Sequence, residues 1–163
     1  MEDPGPMPNT LLDEAAIRAL MDRYGSSVDD RDWPDWADIF DDPLEVDLSG
    51  MDPGLRPYTV ARDQHVARAS ALIAQFDATQ HMITNVQVRL DGDTATCRAT
   101  MRAEHWISGI RGTGRYTMFG VYENGFRRTA AGWRLGRLAL RVVREEGNAE
   151  VWAEAQRRAR GAG

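Results

Sequence analysis

Leu12, Ala16, Leu20 and Tyr24 recur every four residues, with Ile17 and Met21 beside them. Side chains at that spacing share one face of an α-helix, so the pattern predicts a helix over residues 10–28 with a single apolar stripe. Thr10 followed by Asp13 resembles a capping box at its start, with Asp in place of the stronger partner Glu. The next stretch, "SSVDDRDWPDW", groups Asp29, Asp30, Asp32 and Asp35 around Trp33 and Trp36. Asp32 suits the N-cap of a second short helix. Pro34 is tolerated in the first turn of that helix, and Trp33, Trp36, Ala37 and Phe40 supply its buried side. Asp30 is expected to face water. Asp29 is left without a structural task, and an acid near a helix C-terminus meets a dipole that is already negative.

Further on, "PLEVDLSG" alternates apolar and polar positions and reads as a strand. Residues 59–76 carry Val60, Val66, Ala69, Leu72, Ile73 and Phe76 in an Ala-rich setting and read as a third helix. The period then changes to two. "HMITNVQVRL", "DGD" and "TATCRATMRAEHWI" read as a long hairpin turning at Asp91-Gly92. "GRYTMFGVYENGFRRT" and "GWRLGRLALRVVRE" follow as two more long strands, and "AEVWAEAQRRAR" as a short closing helix. Helices early and strands late predict an α+β fold with helices packed on one face of a curved antiparallel sheet. Gly120, Gly125 and Gly136 allow the strands to bend, and a bent sheet closed by helices is a cone that encloses a pocket.

Composition narrows this reading. A chain of 163 residues suggests one domain: residues 10–146, with a flexible leader at 1–9 and a helix and tail at 147–163. The net charge of −5 and scattered arginines give no support for nucleic-acid binding. Cys97 is the single cysteine, which excludes an internal disulfide and any cysteine metal cluster. No apolar run approaches membrane-spanning length, and "MEDPGPMPN" is acidic and proline-rich, so a cytoplasmic protein is expected. Apolar residues occupy both phases of the last strand, Leu138, Leu140 and Val142 against Trp133 and Leu135. Both sheet faces then want cover, which predicts a homo-oligomer, a dimer or trimer.

The candidate chemistry centres on three histidines. His65 lies in the polar part of the third helix and is expected at the surface. His105 falls in the inward row Ala95, Cys97, Ala99, Met101, Ala103, His105, Ile107, where it is either a core histidine bonded to a carbonyl or a working group. His81 shares its phase with Ile83 and Asn85, while Val86, Val88 and Leu90 hold the other, so it faces the pocket only if a bulge or curvature breaks the alternation. Arg141 has the same difficulty among Leu138, Leu140 and Val142. "GIRGTGRY" has no helix after it and reads as a hairpin connection rather than a phosphate loop. Asp29 with two histidines is a conceivable iron triad, but no compact ligand spacing supports it, so no metal or cofactor is expected.

These residues resemble the nuclear-transport-factor-2-like superfamily of α+β cones, in its SnoaL-like, scytalone-dehydratase-like branch. "SVDDRDW" resembles the dehydratase segment with an Asp four residues before a Trp. "TQHM" resembles a strand start that carries a catalytic histidine, and "MRAEHW" falls where scytalone dehydratase has its second histidine. The resemblance runs from about residue 11 to 146. Tyr24, five residues before Asp29, and Arg141 near the end of the last strand are similar to positions of the bile-acid 7α-dehydratase, which has an Asp where this chain has His105. "DDRDW" and "HMITN" are similar to the Asp and His segments of hexachlorocyclohexane dehydrochlorinase. The substrate-polarising tyrosines of scytalone dehydratase correspond here to Val28 and Leu48, and its polar Ser and Asn fall at Gly120 and Tyr122, so a scytalone dehydratase proper is not expected.

The resemblance implies an elimination on a small molecule. Asp29 would orient a histidine, with His81 as the preferred base and a pairing with His105 left open. His105 would donate a proton to the leaving group, and Tyr24, Tyr122 or Arg141 would hold a carbonyl. Tyr58 and Tyr116 are more remote options. Met101, Trp106, Met118 and Phe119 are expected to line an apolar pocket for a ring-containing or polyketide-like substrate. Isomerisation or cyclisation needs the same base. A non-catalytic ligand-binding or oligomerising subunit needs no open pocket.

Overall fold

The computed structural model describes residues 10–161, so the leader at 1–9 lies outside the described residues. The elements are α1 (Thr10–Asp30), α2 (Trp33–Ile39), β1 (Phe40–Gly50), β2 (Tyr58–Val60), α3 (Arg62–Ile73), β3 (Ala78–Asp91), β4 (Thr94–Trp106), β5 (Arg115–Thr129), β6 (Gly132–Gly147) and α4 (Glu150–Gly161). The apolar stripe of α1 is its buried face: Ile17, Leu20, Met21, Tyr24 and Val28. Its end is a Schellman motif. Arg31 takes a positive φ of 57°, and the Arg31 and Asp32 amides donate to the Val28 and Ser27 carbonyls. Asp32 then caps α2 by accepting from the Asp35 amide at 3.1 Å. Asp13 also ties α1 to the sheet. It accepts from Arg128 and from Trp133 Nε1, tying the start of α1 to the β5–β6 hairpin.

Six strands form one curved sheet in the order β2-β1-β6-β5-β4-β3. The four long strands are antiparallel, as their alternation predicts, but β1 joins β6 in parallel. Strand β2 is also a correction. Residues 58–60 pair with β1 instead of opening the third helix, which begins at Arg62. The three residues contribute too few positions for a period to be visible.

Bulges decide which face each side chain takes. In β3 the register shifts between Thr84 and Gln87, with Asn85 at a positive φ of 54°. His81 and Ile83, opposite Ala103 and Met101, therefore share the inner face with Val88 and Leu90, opposite Cys97 and Ala95. In β6 a shift lies between the Gly125–Arg137 and Phe126–Leu135 pairs. It brings Trp133, Leu135 and Leu138 into the same core, all at least 96% buried. The two-phase apolar pattern of β6 thus reflects a bulge and makes no demand for cover on a second face. No helix of the described residues is long and apolar enough to cross a membrane.

Candidate active site

Asp29, the penultimate residue of α1, meets the start of β3. Its Oδ2 accepts from the His81 backbone N–H at 2.6 Å. Its Oδ1 accepts from the Thr79 hydroxyl at 2.9 Å and lies 2.7 Å from His81 Nδ1. The contact is largely sheltered, with side-chain exposures of 9% for His81 and 18% for Asp29. Burial raises the Asp29 carboxyl, but the bonds from the His81 ring and amide, the His81 charge and Thr79 outweigh it, and the net shift is downward. An ionised carboxylate only accepts, so Nδ1 carries the hydrogen, and in the neutral ring the lone pair then lies on Nε2. The alternative pairing of Asp29 with His105 is not the one formed.

Gly25 makes the approach possible. A Cβ there would lie 3.2 Å from the His81 carbonyl oxygen and 3.6 Å from His81 Cβ. Without a side chain, α1 lies close enough to β3 for Asp29, one turn further on, to reach the His81 ring. A hollow of about 400 Å³ opens along this seam and is lined by Met21, Gly25, Asp29, His81 and Ile83 among others. A second hollow, about 440 Å³ with Arg89, Arg98 and Arg137 on its walls, lies on the outer face of the sheet and touches none of the predicted site residues.

His105 lies inward, as the alternation predicts, and its ring is 5.8 Å from that of His81, nearly perpendicular to it. It is enclosed by Phe76, Tyr116 and Trp152 at 4.8, 6.1 and 5.1 Å. Burial, then the charge of His81, pushes it down to about 3, against a rise from Tyr116 and Asp29. It is therefore a neutral imidazole at neutral pH and offers an N–H or a lone pair. Its Nδ1 is buried without a partner. Trp152, from α4, is a residue whose role the sequence pattern does not signal, because its contacts cross the whole chain.

Tyr24 and Tyr122 are buried side by side in the core, with rings 5.5 Å apart. Burial pushes Tyr24 up to about 12, slightly opposed by its contact with the Tyr122 hydroxyl. Tyr122 rises well above its usual value through burial, Tyr24 and the Asp29 charge. Met101 and Met118 are buried on the same inner face.

Three predicted residues lie elsewhere. Arg141 is exposed and pairs with Val121 and Gly50 on the outer face; the β6 bulges leave it in that phase. Phe119 pairs with Arg102, whose guanidinium lies 5.5 Å over its ring on the outer face. Trp106 shares that outward phase. Adjacent strand residues point to opposite faces, so Met118 and Phe119 do not line one pocket together. Tyr58 is 41% exposed on β2, whereas Tyr116 is buried beside His105 with its hydroxyl donated to Glu145. Asp30 is exposed as expected.

His65 is the clearest departure. It is buried, not at the surface, between the Trp36 and Phe40 rings at 5.7 and 5.1 Å. The neighbouring polar residues of α3 masked an inward position. Among the described residues no group of three His, Cys, Asp or Glu side chains is arranged to hold a metal ion.

Comparison with known proteins gives the same fold. The SnoaL-like domain matches residues 9–139. A protein of Kribbella flavida is 34% identical, with a TM-score of 0.83 over 89% of this chain and 99% of that one. A putative aromatic ring hydroxylase of Novosphingobium aromaticivorans is 28% identical, with a TM-score of 0.74 over 90% and 99%. A putative scytalone dehydratase of the same organism shares the fold at 21% identity, with a TM-score of 0.73 over 85% and 89%.

Proposed function

The chain belongs to the SnoaL-like domain family of the NTF2-like superfamily, and on that premise we propose that it is a cofactor-independent acid–base lyase. Its substrate is a ring-containing hydroxy-carbonyl compound, polyketide- or steroid-like, from which it removes water. The observation that carries this reading is the Asp29–His81 contact, which leaves one imidazole nitrogen as a base and stabilises the cation formed when that nitrogen takes a proton. The dehydratase named among the fold's neighbours is consistent with it.

In this mechanism His81 Nε2 takes the proton α to the carbonyl. The C–H electron pair moves toward the carbonyl as an enolate, which Tyr24 and Tyr122 hold through phenols that burial keeps protonated. Collapse of the enolate forms the C=C bond and breaks the C–O bond. The departing oxygen takes the proton back from His81 and leaves as water. His105, being neutral, orients the departing hydroxyl by hydrogen bonding. Isomerisation or cyclisation uses the same base and enolate with no leaving group. A homo-oligomer and a cytoplasmic setting belong to the same reading.

The test is a panel of cyclic β-hydroxy ketones in D₂O, followed by NMR. Enone formation that Asp29→Asn abolishes is the expected result. Deuterium exchange at the α-carbon without enone would assign an isomerase or cyclase instead. Compounds that bind with neither exchange nor water loss would reduce the protein to a binding subunit.

A further inference from the structure

Among the described residues three buried side-chain nitrogens lack a partner: Trp36 Nε1, His65 Nε2 and His105 Nδ1. Leaving such a group unsatisfied is costly, and cores generally avoid it. The His105 nitrogen belongs to the site already described. The other two belong together. Trp36 comes from α2 and His65 from α3, and their rings are 5.7 Å apart with planes inclined by 36°. Phe40 touches both, at 5.0 and 5.1 Å. Trp36 is 2% and His65 9% exposed, so bulk water does not serve either nitrogen.

The chemistry of the pair selects its ligand. An indole N–H only donates. Burial, helped by the charge of Arg68, pushes His65 down to about 4, so the ring is neutral at neutral pH. The side chains packed on the pair are aromatic, and a full charge would be buried there without a counter-ion. A neutral hydroxyl fits: its oxygen accepts from Trp36 and its hydrogen goes to the His65 lone pair. Two hydrogen bonds of about 2.9 Å meeting at one oxygen join nitrogens roughly 4.5–5.5 Å apart, compatible with rings at this separation. The pair is also continuous with the site. Tyr24 touches Trp36 and Phe40 on one side, at 5.8 and 6.1 Å, and Tyr122 on the other.

We propose that Trp36 Nε1 and His65 Nε2 form a hydroxyl-reading pair in the interior wall behind Tyr24, so that the preferred ligand is a ring bearing a hydroxyl in addition to the one lost. This deepens the proposed function and rests on its reading of the interior as a substrate chamber. A ligand would then lie with its reacting end at His81, its ring against Tyr24 and Tyr122, and its distal hydroxyl between α2 and α3. Trp36 and His65 are specificity determinants here and take no part in the proton transfer.

The test uses 2-naphthol and its methyl ether, 2-methoxynaphthalene, which accepts a hydrogen bond but donates none. Calorimetry on the full chain should show a preference for the naphthol of about twofold to thirteenfold, the range of one such hydrogen bond. His65→Phe should abolish that preference, and Trp36→Phe should weaken both compounds by a similar factor, while thermal stability holds or rises because an unpaired polar atom has gone. In ¹H–¹⁵N spectra of the wild-type chain, the Trp36 indole resonance should move on saturation with naphthol. An unmoved resonance, no preference in the wild type, a preference that survives His65→Phe, or unchanged affinity of both compounds in Trp36→Phe would assign the two nitrogens to an ordered buried water and overturn the proposal. Asp29→Asn separates the two readings. It should leave the naphthol preference intact, so a failure of the elimination chemistry and a failure of the hydroxyl pair give different results.

Discussion

His81 and His65 both point into the interior, one against a carboxylate and the other against aromatic rings. At the α1–β3 seam, Asp29 supplies a charge and fixes a tautomer, so His81 can gain a proton without leaving its partner. Between α2 and α3, Trp36 and Phe40 supply surface and no charge, and His65 is kept neutral. In the proposed function the same side chain transfers a proton in one place and only hydrogen-bonds in the other. The difference lies in what the neighbouring helix contributes: α1 brings an acid over a glycine, α2 an indole.

The largest expected effect breaks the seam at its charge. Asn keeps the shape of Asp29 but presents an amide to Nδ1 and favours the wrong tautomer. Asp29→Asn should lower kcat by about 10²–10⁴ with little loss of fold. His81→Ala should cost at least as much, and the double variant should be scarcely worse, since groups acting as one unit are not additive. Additive losses in steady-state kinetics would dissolve the dyad.

Next comes the glycine that lets the seam close. Gly25→Val places branched carbon where a single Cβ already lies 3.2 Å from the His81 carbonyl oxygen. Overpacking of this kind costs about 1–3 kcal/mol in urea unfolding, and kcat should fall with it as α1 is pushed off β3. Unchanged stability and activity would mean that the helix sits further out.

A smaller effect sharpens the contrast through pH. His65 and His105 titrate at about 4 and about 3 in the folded chain, against ~6.5 when unfolded. Between these values the unfolded state binds the extra protons, so stability falls as pH drops below ~6.5. The slope is up to ~1.4 kcal/mol per pH unit for each histidine. His65→Phe should remove one such contribution between about pH 6.5 and 4. The depressed Asp29 acts in a lower window, with its contribution present above ~3.9 and lost as pH falls through the folded value. Urea midpoints measured from pH 7 to 4 check this, and an unchanged slope in His65→Phe would return that residue to solvent.

The smallest expected effect is at Arg141. Exposed on the outer face, it should change kcat/KM by about twofold or less when replaced by Ala. A loss as large as that of Asp29→Asn would put it back among the catalytic groups.

The features legible in the chain alone are local and periodic. The stripe through Leu20, Met21 and Tyr24 defined the buried side of α1, Asp32 and Pro34 marked the start of α2, and strict alternation placed His105 inward. Each follows from the geometry of one element, where the face of a residue depends only on its neighbours in the chain. The family resemblance added the order of the site residues, with Asp29 and His81 among them. Tertiary structure decided everything that depends on counting across strands or packing between elements. One extra residue at the Asn85 bulge turned His81 inward, whereas the bulges of β6 left Arg141 outside. The choice of His81 over His105 as partner of Asp29 depended on how closely α1 approaches β3, and that closeness rests on Gly25. The burial of His65 depended on α3 packing against Trp36 and Phe40, which no polar pattern within α3 encodes. Periodicity assigns faces only up to the next bulge and says nothing of which faces meet, because those meetings are made by residues far apart in the chain.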